Sequence, residues 1–434
     1  MRTQPNSASN KSSSDADSTT PDVDAETYYK WNFVVNVVEG VVYFFGLNIA
    51  SFSTILPAYA NKFTDSNFII SLIPTAMMLG FAIPQILSSG YTRNVTRKKR
   101  FVIIVGIPQR LSWFALAIAT FFLAKGNPGL MLGLFFLCYI TYTLSTGVII
   151  PVWAEFTAAI IPQAKRGRFT GYRHFFSSGL GVLAAMLANY ILKTFPYPQN
   201  FACCFFLTAL FCTLAMPILG LSREVPYPKP KDTGSLRNYF KHLPRILFDN
   251  RNYSKYLITT VLFSFQSMVN IFYTVYAIRK LQVTDAQIAI FTGVLMGSQA
   301  ASNIFWGYLA DRKGHKITIA IAMLSASVAP IVAITANSFF IYCGVFVFMG
   351  FSYSARMIST FNILFEFAPA DEKATYISLT NTITAPFSGL APILGGLLAD
   401  LFGYKFIFTL SPGIGLVALF MLAFWVKEPR KTKG

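Results

Sequence analysis

From Trp31 onward, apolar runs of about 20 residues or more alternate with short polar segments along the whole chain. Crossing ~30 Å of hydrocarbon takes about 20 helical residues. The pattern therefore predicts spans near 33–59, 67–89, 101–124, 129–160, 172–192, 200–222, 256–278, 286–306, 317–336, 338–366, 374–400 and 406–426. Twelve such helices make an all-α membrane protein. The longest connection, residues 223–255, divides them into six and six. The chain thus resolves into two six-helix bundles, 30–222 and 256–426, flanked by tails at 1–29 and 427–434. Met1 to Glu26 is rich in Ser, Thr and Asp and lacks an apolar stretch. It cannot offset its own ordering entropy and is expected to be disordered. The charged-then-apolar order of a secretory signal is missing from it. Within the linker, Pro226, Pro228 and Pro230 stiffen the start. Asn238 to Phe248 then mixes aromatic and aliphatic side chains with Lys241 and Arg245, which predicts a short amphipathic helix on the inner leaflet.

Composition sharpens this picture. Only 12% of the 434 residues are charged and 54% are hydrophobic, whereas soluble domains carry about a quarter charged residues. The net charge of +18 would suit nucleic acid if the bases formed one aromatic-rich module. They sit instead in loops. With the N-terminus inside, the inner loops hold 21 Lys and Arg and the outer loops six (Lys62, Lys125, Lys193, Arg279, Lys280 and Lys405). That bias sets orientation; both termini are expected in the cytoplasm, with no nucleic-acid partner. Five cysteines lie within apolar runs and the three histidines are scattered, so neither a disulfide framework nor a metal site is visible. No metal or cofactor is expected. No phosphate-binding G-x-x-x-x-G-K-[ST] loop occurs, and no nucleophile and base stand at a catalytic spacing.

The halves echo each other. Ile161-Pro162-Gln163-Ala164-Lys165-Arg166 precedes the fifth span, and Ala368-Pro369-Ala370-Asp371-Glu372-Lys373 precedes the eleventh. The sixth exits through Arg223-Glu224-Val225-Pro226, the twelfth through Lys427-Glu428-Pro429. Parallel six-span repeats place a transport site between halves near the midplane. After the eighth span comes Gly307-Tyr308-Leu309-Ala310-Asp311-Arg312-Lys313-Gly314-His315-Lys316. Here the sequence resembles the major facilitator superfamily, whose corresponding loop reads G-x-L-a-D-r-x-G-r-k. The resemblance implies that Asp311 helps hold the cytoplasmic side closed, with Gly307 and Gly314 allowing tight turning. Asp311 is expected near the N-terminus of the eleventh helix. The first half departs from the motif, with Asn94 and Arg97 at the Asp311 and Gly314 positions. The family also carries an acidic residue at the cytoplasmic ends of spans four and ten. Glu155 and Glu366 match it, poised to meet Arg166 or Arg312 when the inner gate closes. Gly389-Leu390-Ala391-Pro392-Ile393-Leu394-Gly395-Gly396 is similar to an exporter element, but it stands in span eleven, where tight helix packing explains it.

Three ionisable side chains fall deep inside apolar runs: Glu39, Arg110 and Arg356. Each lies ~13–15 Å from the inner surface at 1.5 Å per residue, and such residues usually face a cavity. Spans one, four, seven and ten line the cavity in the superfamily, which favours Glu39 and Arg356 for function and gives Arg110 a structural part. Asn36, Gln266, Asn270 and Asn381 add polar candidates. The expected activity is secondary active transport of a small solute by alternating access, coupled to protons through Glu39. The solute is an organic anion if Arg356 faces it unpaired. Two alternatives stand: an exporter of drugs or lipophilic solutes, and a non-transporting sensor or scaffold on the same fold. The protein is expected to act as a monomer in the inner membrane.

Overall fold

The computed structural model describes residues 21–92, 95, 97–162, 165–224, 246–369 and 372–431. Eleven of its helical stretches are long and apolar enough to cross a membrane, and the last of these, Thr375–Trp425, holds two spans. Spans 1 to 6 are Pro21–Ile49, Asn67–Thr92, Lys98–Leu123, Pro128–Ile160, Arg166–Thr194 and Gln199–Gly220. Span 7 occupies Arg251–Leu281, and spans 8 to 10 are Asp285–Lys313, His315–Thr335 and Phe339–Phe367. Spans 11 and 12 are the two arms of Lys373–Phe420, which turns at Gly403 with φ +79°.

Three expectations need correction. The helix of span 1 begins at Pro21, inside the tail expected to be disordered; the rest of that tail lies outside the described residues. The 33–59 run is not one helix. It stops at Ile49 and resumes as Ile55–Ala60, with Pro57 in the first turn of the new helix, where its missing N–H is tolerated. Span 7 also breaks, passing through a tight turn at Ser267–Val269 before Phe272–Leu281. Ser264 and Ser267 donate back to Thr260 O (3.0 Å) and Ser264 O (2.6 Å), the pattern that bends helices. The linker helix expected over 238–248 lies outside the described residues up to 245.

The internal repeat is visible as bonds. Asn32 in span 1 clasps the exit of span 6, taking Arg223 N–H (2.8 Å) and donating to Arg223 O (3.0 Å). Asn252 at the start of span 7 clasps Lys427 with the same two bonds at 2.8 and 3.0 Å. Beside them, Lys99 Nζ donates to Gly220 O and Ser222 O, and Lys316 Nζ to Ala423 O. Each half therefore closes its own ring of helices at the end that bears the termini.

The halves meet chiefly through span 5 on span 8 and span 2 on span 11. The largest apolar core joins them at the end opposite the termini, from Ile49 and Tyr59 across to Tyr342 and Phe408. At the terminal end the cores separate, one around Phe156 and Phe169 and another around Tyr253 and Phe367. Hydrogen bonds follow the same division. Among the described residues, those joining the halves run from Thr75 Oγ1 to Gly389 O (3.1 Å) outward to the far end, as in Thr274 to Ser53 O (3.0 Å) and Asn189 to Ala286 O (2.7 Å). The two bundles are pinned at one end only.

Candidate functional site

A cavity of about 430 Å³ opens among spans 1 to 6; apart from Met296 of span 8 its wall belongs to the N-terminal half, not equally to both halves as expected. Aromatic rings supply much of its surface: Tyr43, Phe44, Trp113, Tyr139, Tyr142 and Trp153. Its polar wall holds Glu39, Arg173, Gln109 and Arg110. Glu39 and Arg173 are buried at 6% and 7% exposure. Arg173 Nη1 donates to Glu39 Oε2 and to Asn36 O, both at 2.7 Å. Its guanidinium lies 4.7 Å from the Trp153 ring centre. Gly40 makes room, since a Cβ there would stand 2.2 Å from the Arg173 guanidinium carbon. Two opposite charges survive burial when paired and hydrogen-bonded in this way.

Arg173 is the member of this charged cluster that sequence reasoning missed. Arg173 stands where the 162–173 loop meets the predicted span and counts with that loop's four basic residues, but the helix begins at Arg166, which carries Arg173 ~10 Å inward. The signal was the isolated carboxylate: a buried Glu39 needs a counter-charge, and the adjacent Gly40 leaves space for a large one. Arg110 also lines the cavity. Carbonyls hold it, with Nε donating to Cys212 O (3.2 Å) and Nη1 to Gly106 O (3.1 Å). Gln109 in turn reaches Tyr43 Oη (2.9 Å) and Thr146 Oγ1 (2.5 Å).

The other candidates do not converge there. Asn36 turns to Asn32 O (2.8 Å) and Ser222 Oγ (2.9 Å), at the span 6 exit. Gln266 donates to Ala326 O (2.7 Å), tying span 7 to span 9. Asn270 bonds the Tyr353 hydroxyl, and Asn381 is exposed on span 11. Arg356, half-buried on span 10, sits 5.2 Å from the Phe263 ring centre. No carboxylate among the described residues pairs with it. Glu39 is committed to Arg173 instead.

The gating candidates are engaged within their own halves. Glu155 pairs with Lys98. Arg166 donates to Ile161 O (3.0 Å) and Ala158 O (2.6 Å), capping the end of span 4. Glu366 accepts from Arg430 Nε (2.5 Å), with His315 Nε2 at 3.9 Å. Arg430 also donates to Asp311 O (3.1 Å). The Asp311 side chain is exposed at the end of span 8, and its expected contact with the start of span 11 is not among the bonds of the described residues. Arg312 lies 4.4 Å from the Tyr308 ring centre. Gly314 makes the turn at φ +97°. Gly307 does not: it lies inside the helix, with no atom within 4 Å of where its Cβ would stand.

Two repeated six-helix halves pinned at one end over an aromatic cavity define a membrane transporter. The chain belongs to the Major Facilitator Superfamily, whose family model matches residues 40–275 and 256–434. A curated relative, "Multidrug resistance protein MdtL" of Klebsiella pneumoniae subsp. pneumoniae, is 28% identical over 160 residues, 36% of this chain and 39% of the relative. The protein of that name from Escherichia coli is 29% identical over 151 residues, 35% of this chain and 38% of the relative. The matched stretch thus spans well under half the length of these relatives. Among solved structures, the D-xylose-proton symporter aligns with TM-score 0.68 and 16% identity, covering 93% of this chain and 99% of that one. The nucleoside transporter NupG aligns with TM-score 0.66 and 12% identity, covering 90% and 98%. At such identities the likeness is one of fold.

Proposed function

We propose that this protein is a secondary transporter of the inner membrane, with both termini cytoplasmic, that moves a small organic solute by alternating access coupled to protons. The observation that carries the reading is the one-sided pinning of the halves. A bundle joined only at its far end, over a cavity, is a carrier open to the side of its termini, and the loop charge bias assigns that side to the cytoplasm.

Glu39 is the proton carrier in this reading. Its carboxylate is occupied by the 2.7 Å bond to Arg173. Proton uptake then requires the pair to part, which ties protonation to the conformational step. Reconstituted Glu39→Gln protein is expected to lose proton-driven accumulation and keep solute exchange between the two faces. Accumulation and pH dependence like those of wild type would reject Glu39 as the carrier.

The substrate class is an organic anion. Glu39 and Arg173 cancel, Arg110 is satisfied by carbonyls, and Arg356 is left as an uncompensated positive centre. Arginine presents a planar fork suited to a carboxylate or phosphate. Flux of anionic, neutral and cationic solutes into proteoliposomes tests this, with Arg356→Lys expected to cut anion flux sharply. A cation carried equally by wild type and Arg356→Ala would overturn it. The aromatic lining of the cavity supports a second reading, export of lipophilic solutes, and the matched relatives carry the name multidrug resistance protein.

A further inference from the structure

At the end opposite the termini, one carboxylate from the C-terminal half completes a helix of the N-terminal half. Span 2 begins at Asn67, and the first N–H groups of any helix have no partner within it. Asp400, at the end of span 11, supplies two of the missing acceptors. Asp400 Oδ1 accepts from Asn67 N (2.8 Å) and Oδ2 from Phe68 N (3.0 Å). The third group, Ile69 N, donates to Ser66 Oγ at 3.4 Å. Asp400 also accepts from Asn67 Nδ2 (2.8 Å) and Ser66 Oγ (3.1 Å). An N-cap usually comes from the residue that precedes the helix; this one comes from more than 330 positions along the chain.

The approach is built into the packing. One turn before Asp400, Gly396 faces the same helix start, and a Cβ there would stand 2.7 Å from Ser71 Oγ and 2.8 Å from Asn67 O. Around the cap, Arg279 of span 7 donates to Asn61 Oδ1 (2.8 Å) and Asp65 O (3.1 Å), and Lys62 pairs with Asp285 of span 8 (2.9 Å). The side chains in those contacts are partly exposed and can exchange their partners for water. The cap differs: it joins a full charge to the positive end of a helix 26 residues long, and it breaks as soon as span 11 withdraws from span 2.

We propose that Asp400 is the latch that holds the outer face of the transporter shut, and that opening outward requires its release from the start of span 2. The inference rests on the alternating-access reading. It predicts that removing the charge shifts the resting equilibrium toward the outward-open state. Spin labels at Lys125→Cys and Phe340→Cys report the separation of the halves at that end, both positions being exposed. The half-buried Cys138, Cys203 and Cys343 are replaced by Ser.

Asp400→Asn is expected to add a longer-distance population absent from the otherwise unchanged protein, and Asp400→Ala a larger one. Thermal unfolding measured alongside separates a latch from a fold determinant: lower stability with an unchanged distance distribution in both variants overturns the proposal. A wedge at the same contact, Gly396→Leu, separates the two levels of failure. If the wedge lengthens the distance and the Asp400 variants do not, the latch assignment falls alone. If neither the wedge nor either variant lengthens it, the halves do not part at this end and the alternating-access reading falls with it.

Discussion

Arg173 shows how much one side chain can decide. Its guanidinium is the counter-charge of Glu39, and removing it leaves a buried carboxylate without compensation. Arg173→Ala is therefore expected to cost ~3–5 kcal/mol. Adding Glu39→Gln should recover much of that loss, since the orphaned charge is then gone. Unfolding of both variants in one detergent checks this; a double variant no more stable than the single would mean that Arg173 acts through its Trp153 contact instead. Gly40→Ala probes the same pair from its other side, because the new methyl would occupy the guanidinium's place. Sequence reading found Glu39 and its depth but not its partner. A hydropathy pattern counts an arginine near a loop as topological; the isolated Glu39 signals that a counter-charge is needed, and the helix start at Arg166 shows which one it is.

At the scale of elements, glycines mark where the helices must turn. Gly403 holds φ +79° between spans 11 and 12 with nothing within 4 Å of its missing Cβ. Gly403→Ala thus isolates backbone strain from packing, and a loss of ~1–3 kcal/mol is expected in thermal unfolding without a change in transport. An unchanged stability would show that the turn relaxes freely. The twelve spans were legible from apolar run lengths, and the six-plus-six division from the long connection at 223–255. The breaks within spans 1 and 7 were not, because a few Ser and Thr residues interrupt a helix without lowering the mean hydropathy of its run enough to divide it. The same limit applied to Gln266 and Asn36. Composition cannot say which face of a helix a polar side chain occupies, and both proved to be ties between spans.

For the whole molecule, the asymmetry between the two ends of the bundle is the central fact. The far end has a shared apolar core, the Asp400 cap and ion pairs across the halves. At the terminal end, Glu366 is held by Arg430 and Glu155 by Lys98, each inside its own half. Under the proposed alternating access, closing the terminal end would have these carboxylates exchange partners across the gap, the role that family resemblance implies for Arg166 and Arg312. The resting protein should therefore admit water-soluble reagents from the terminal side alone. Thr170 provides a test site: it is exposed and lines the cavity on span 5. Thr170→Cys is expected to react with a membrane-impermeant thiol reagent in inside-out vesicles and to resist it in right-side-out ones. Asp400→Asn should then raise labelling of right-side-out vesicles, as span 11 leaves span 2 and the cavity gains access to the other face. Equal labelling of wild type from both sides would contradict the one-sided closure from which the transport mechanism is derived.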